Sequence, residues 1–137
     1  MSADTAIPNT EAPNYELSVD QMEIRDQAQK FFMSEFHSLQ ERMDNEDWWP
    51  AHVFPKLGEM GYLGLTVGEE YGGAGLDYLT ASVISEVMTY ANPAVAFSWL
   101  GHDNLCLNNI YRSGNIDQRD RYIPKMCTGE WIGALGM

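Results

Sequence analysis

Gly61-Tyr-Leu-Gly-Leu-Thr-Val-Gly-Glu-Glu-Tyr-Gly-Gly-Ala-Gly-Leu-Asp77 decides how the rest of the chain is read. Six glycines in this run let the backbone turn repeatedly, and helical apolar patterns flank it on both sides. The run holds no lysine or arginine, and no Gly-Lys-Ser/Thr follows Gly72-Gly73-Ala74-Gly75, so it is not a phosphate-binding P-loop. Nor is it a dinucleotide fingerprint, since no strand precedes it and the G-x-G-x-x-G spacing is missing. It predicts a scaffolding loop between two helices, with Gly61 as left-handed cap of the first and Asp77 as N-cap of the second.

Upstream, Ser18 opens a helix with Gln21 placed for a capping box. Met22, Ala28, Phe31, Phe32, Phe36, Leu39 and Met43 recur at helical steps, predicting one helix to about residue 43. The polar cluster Asp44-Asn45-Glu46-Asp47 ends it, and a shorter helix runs from near Pro50 to Met60. Downstream of the loop, Ala81, Ile84, Val87, Met88 and Ala91 mark the buried face of the next helix. Asn92-Pro93 breaks that helix and starts another over 93–112, apolar on most of its surface and carrying Gly101 in its middle. Gly114 closes it. Asn115 caps a last amphipathic helix with Tyr122, Ile123 and Met126, which Pro124 is expected to shorten or kink. Residues 128–130 turn the chain, and 131–137 read as a strand. The fold class is therefore all-α, a bundle of about five helices with one strand leaving it, preceded by an irregular acidic tail over 1–17.

The chain has 137 residues, 45% hydrophobic, with 8 Lys plus Arg against 20 Asp plus Glu and a net charge of −12. That field repels nucleic acid and anionic membranes, so neither is an expected partner. No apolar run approaches a membrane span. The N-terminus lacks a basic start and an apolar core, and is neither a secretory signal nor an arginine-rich presequence. Cys106 and Cys127 have no metal-ligand spacing and read as free thiols of a reducing compartment. His37, His52 and His102 fall on separate elements, so no metal site and no nucleophilic triad is visible. Glu69-Glu70 reads as a solvated pair rather than an acid–base dyad. Taken alone, these residues support a binding or scaffolding helical domain, including a free-standing interaction module with no chemistry of its own.

Several phrases in succession carry more. After Glu69-Glu70-Tyr71-Gly72-Gly73-Ala74-Gly75-Leu76-Asp77 come Asn104-Leu-Cys-Leu-Asn108, Ser113-Gly-Asn115 and Gln118-Arg-Asp-Arg-Tyr-Ile-Pro-Lys125. Thr128-Gly-Glu-Trp-Ile-Gly-Ala-Leu-Gly-Met137 closes the chain. In order and spacing these resemble the N-terminal helical domain of acyl-CoA dehydrogenases over nearly everything from Ser18 onward. The segment from Ser98 to Asn108 is most similar to isovaleryl-CoA dehydrogenase. The resemblance implies a helical domain over 18–130 and the start of a flavin-binding β-domain at 131–137. It implies an FAD enzyme of fatty-acid or leucine breakdown that removes an α-proton from a short or branched acyl-CoA and sends the β-hydrogen to flavin as hydride. Electrons then pass to an electron-transfer flavoprotein, and the assembled enzyme is a homotetramer. It is expected in the bacterial cytoplasm, or in the mitochondrial matrix with a presequence removed.

The family's catalytic glutamate matches no residue here, so no catalytic residue is assigned and these residues alone are expected to be inactive. Cofactor contacts are implied at Leu135, Gly136 and Met137. Phe97, Gly101 and Leu105, four apart and so on one helix face, are implied as the wall of the acyl pocket. Tight helix packing is the other use such a face can have. His102, beside it, reads as a core histidine, and Trp99 and Leu100 as core. An acyl-CoA oxidase or flavin monooxygenase of the same fold is the alternative enzyme reading.

Overall fold

Ser18 accepts the amide N–H of Gln21, whose side chain bonds back to the Ser18 amide, and this capping box starts α1 (Val19–Glu35). The computed structural model describes residues 16–136, so the acidic tail up to residue 15 and Met137 lie outside the described residues. Ala28 and Phe32 turn inward from α1 against α4 (Tyr78–Ala91), the most extensive helix pairing in the molecule. α2 (Gln40–Glu46) and α3 (Val53–Glu59) follow α1, and α5 (Pro93–Leu100) follows α4. A seven-residue π-helical segment, Gly101–Leu107, continues α5 directly into α6 (Asn108–Ser113). α7 (Ile116–Cys127) begins with a second capping box between Asn115 and Gln118. Among the described residues, merging the broken pieces leaves five helical rods: 19–46, α3, α4, 93–113 and α7.

The first rod is not continuous. A 3-10 turn, His37–Leu39, separates α1 from α2. The break sits where the α4–α5 corner reaches across: Asn92 Nδ2 donates to the Phe36 carbonyl at 2.8 Å, and His37 Nδ1 lies 3.0 Å from the Ala91 carbonyl. Asn92 is fully buried and also caps α5 by accepting the Val95 amide. These long-range bonds outcompete the local pattern that favours one helix. At the other end, α7 runs through Pro124 to Cys127, so the proline does not shorten it.

Two clusters of buried side chains hold the rods. One gathers Phe32, Phe36, Leu57, Ile84, Met88 and Trp99; the other gathers Val67, Leu107, Ile123, Met126 and Cys127. The glycine-rich loop joins them, inserting Leu63 and Leu65 into the first and Val67 into the second. Each such burial stabilises by about 1.5–3 kcal/mol. The loop closes on itself through the Ala74 amide to the Gly64 carbonyl (3.0 Å) and the Leu76 amide to the Leu65 carbonyl (2.8 Å). Gly64 makes this possible, with φ +73° and no room for a Cβ, which would stand 2.6 Å from Cys127 Sγ. Residues 132–136 form no strand ladder among the described residues. An expected strand needs a neighbour to pair with, and their polar contacts go instead to side chains of the π segment.

Candidate functional site

The rod 93–113 turns polar as well as apolar side chains inward. Phe97 is 78% exposed and Leu105 40%, whereas His102 and Asp103 are buried. Gly101 lies between the two apolar residues, with nothing within 4 Å of where its Cβ would stand. Phe97, Gly101 and Leu105 thus form an apolar strip on the outside of the bundle, and no part of it is sealed in the core. Trp99 turns the other way into the core and donates Nε1–H to the Tyr62 carbonyl at 2.7 Å.

Two hollows lie along the same rod. One of about 550 Å³ lies between α2 and α5, with Met43, Trp48, Trp49 and Phe97 in its wall. A smaller one of about 180 Å³ lies behind, between α4 and the π segment, lined by Tyr78, Ser82, Ser85, Trp99 and Asp103. Gly101 and Leu105 border neither, so among the described residues the strip is an open face rather than a closed pocket.

The wide i→i+5 turn of the π segment, a geometry that recurs at functional sites, turns two polar residues inward. Asp103 accepts the backbone amides of Gly64 and Leu65, which locks the glycine-rich loop to this rod. Burial pushes its carboxyl up to about 6 against the pull of those two amides. Burial, followed by the nearby Asp103 charge, pushes the Cys127 thiol up to about 12, far from a reactive thiolate. His102 Nε2 lies 3.1 Å from the Met126 carbonyl, and its Nδ1 lies 2.9 Å from the Gly133 amide nitrogen. Burial lowers its pKa. Neither His102 nor Asp103 is free to serve a substrate.

Of the residues expected at the cofactor, Leu135 is half exposed and Gly136 has open space around it, while Met137 lies outside the described residues. Glu69 and Glu70 lie exposed on a 3-10 turn. The thiols are free, and among the described residues no group of three His, Cys, Asp or Glu side chains could hold a metal. No described helix is long and apolar enough to cross a membrane. Sequence reasoning missed Asp103 as the loop's anchor; the available signal was a carboxylate inside an otherwise apolar helical run.

The helical bundle with its glycine-rich loop is the architecture of a known domain. The family model "Acyl-CoA dehydrogenase, N-terminal domain" matches residues 18–130, and the chain belongs to that family. It is 36% identical over 123 residues to the mitochondrial isovaleryl-CoA dehydrogenase of Pongo abelii, covering 88% of this chain and 29% of that protein. The chain thus spans less than a third of the length of such relatives. Among solved structures, it is similar to an acyl-CoA dehydrogenase complexed with FAD from Bacillus anthracis. The TM-score is 0.79 at 28% identity, over 86% of this chain and 21% of that one. A chain described as the electron transferring flavoprotein of Acidaminococcus fermentans superposes equally well, with TM-score 0.79 and 28% identity over 88% of this chain and 32% of that one.

Proposed function

We propose that this domain supplies the acyl-binding wall of an FAD-dependent dehydrogenase acting on a short or branched acyl-CoA. The observation that carries the reading is the strip Phe97, Gly101, Leu105: apolar, outward-facing, and gapped at its middle by a residue without a side chain. An exposed apolar face of this kind supports the reading, because it can pack against an apolar ligand. Phe97 limits the depth available to an acyl tail, Gly101 leaves width for a branch, and Leu105 packs nearer the reacting carbons. Together they orient the tail and keep water from it. The strip offers no base, so the group that removes the α-proton comes from elsewhere in the enzyme.

The residues at the end of the chain suit the uncharged part of a flavin. Gly136 lets a flat ring approach its backbone, Leu135 offers an apolar contact, and Met137 continues the same segment. No lysine or arginine stands there for the pyrophosphate. When bound, FAD supplies the hydride acceptor. Electrons leave to an electron-transfer flavoprotein, and the working enzyme is a homotetramer of the bacterial cytoplasm or the mitochondrial matrix.

The test is acyl-CoA-dependent reduction of an electron acceptor by the complete protein, compared for isovaleryl-CoA, butyryl-CoA and a long straight-chain acyl-CoA. The expected kcat/KM is highest for the first two, with electron-transfer flavoprotein preferred over oxygen. Equal rates on all three, or no acyl-CoA-dependent flavin bleaching, would contradict the reading.

A further inference from the structure

The π segment presents two adjacent rows. Gly101 and Leu105 form the outward strip, while His102 and Cys106, each one residue on, hold the chain that leaves α7. The Gly133 amide donates to His102 Nδ1 at 2.9 Å, and the Ala134 amide is hydrogen-bonded to the Cys106 sulfur. The opposite ring nitrogen of His102 meets the Met126 carbonyl at 3.1 Å. A backbone amide can only donate and a carbonyl can only accept, so the ring must carry its proton on Nε2 and none on Nδ1. The ring is fully buried and packs edge-on to Phe54, with centroids 5.2 Å apart and planes at 66°. Its position is thereby fixed from three sides. Gly133 sits so close to this row that a Cβ would stand 2.5 Å from Cys106 Sγ and 2.5 Å from Met126 Cε.

We propose that His102 is a positioning residue whose Nδ1 sets how deeply residues 133–136 dock against the helix carrying Gly101 and Leu105. It thereby sets the distance between the acyl wall and the segment offered to the flavin. This rests on the proposed function for what the segment receives; the docking itself stands on the geometry alone. Any buried imidazole pairs both its nitrogens; what sets His102 apart is that its acceptor nitrogen holds the Gly133 amide of the segment leaving α7, thirty-one positions away.

The experiment uses the complete protein and the variants His102→Gln, His102→Asn and Gly133→Ala. Glutamine retains a donor where Nε2 stands but no acceptor for Gly133, whereas asparagine retains an acceptor near Nδ1. Gly133→Ala displaces the segment with His102 intact. Amide hydrogen exchange over 131–136, read against the α4 amides as internal control, reports docking without any cofactor. Exchange is expected to be slow in the wild type, about tenfold faster in His102→Gln and Gly133→Ala, and near wild type in His102→Asn, the scale of one lost hydrogen bond. FAD dissociation constants should follow the same order. Rapid exchange over 131–136 in the wild type, or identical behaviour of the Gln and Asn variants, overturns the proposal, and the first needs no variant to fold. Protein that binds no FAD yet shows the expected exchange pattern removes the functional reading and leaves the docking role standing.

Discussion

α4 and the rod 93–113 are neighbours of similarly apolar sequence that were folded by different partners. In α4 one apolar face is turned in, with Ala81, Ile84, Val87, Met88 and Ala91 buried, while Tyr78, Leu79 and Tyr90 stand exposed at its ends. In the second rod Phe97 and Leu105 face out while His102 and Asp103 face in. The first arrangement is what burial of apolar surface dictates for an isolated domain. The second meets that rule with Val95, Ala96, Trp99 and Leu107, yet it also turns two polar side chains in beside them and leaves Phe97 78% exposed. Stability and function are therefore separable along the chain, and substitutions in the two rods should behave oppositely.

The largest effect is expected in α4. Met88→Ala removes a fully buried side chain at the centre of the first cluster and should cost about 2–5 kcal/mol, read as a lowered urea midpoint. Phe97→Ala in the other rod should leave that midpoint nearly unchanged while raising KM for acyl-CoA. A loss from Phe97→Ala comparable to that from Met88→Ala would erase the contrast.

Next comes Asp103, the polar residue turned inward. Its carboxyl, ordinarily at 3.8, titrates at about 6 because burial disfavours the charge. Between these values the folded protein keeps a proton that the unfolded chain has released. Its stabilising contribution is thus full below about pH 4, falls as pH rises, and is gone above about 6, a span on the order of 3 kcal/mol. His102 works in the opposite sense: burial lowers its pKa, so stability is lost as pH falls below the ordinary imidazole value of 6.5. Comparing Asp103→Asn with wild type across pH 4–7 separates the two, and the variant should lack the acid-side gain. Parallel stability curves for the two proteins would refute the assignment.

Asn92 joins the two rods, and Asn92→Ala should cost about 2 kcal/mol by removing the α5 cap and one of the two donors to the Phe36 carbonyl, the other being the Leu39 amide. A melting temperature within a degree or two of wild type would show that the α1–α2 break does not depend on it.

The legible and illegible parts of the sequence divide along the same line. The caps at Ser18, Asp77, Asn92 and Asn115 and the inner face of α4 depend on residues three or four apart, and periodicity finds them. The break at residues 36–39 depends on Asn92 and Ala91, more than fifty positions away, so no local pattern contains it. The π segment escapes for a related reason. A wide turn and an ordinary one share the same apolar spacing here, and the wide one carries Asp103, whose partners Gly64 and Leu65 lie nearly forty positions back, where no local pattern reaches. Pro124 suggested a shorter α7, yet the helix runs through it to Cys127. At the strip, spacing put Phe97, Gly101 and Leu105 on one face; only coordinates could tell that this face looks outward.

The smallest structural change carries the most direct test. Gly101→Val adds its side chain into open space, so the fold should be kept, and valine suits a helix at least as well as glycine. The measurement is kcat/KM of the complete enzyme for acyl-CoA thioesters of increasing length and branching. The account predicts a loss that grows with branching and length at unchanged thermal stability. A profile identical to wild type would mean that the strip of Phe97, Gly101 and Leu105 does not meet the acyl group.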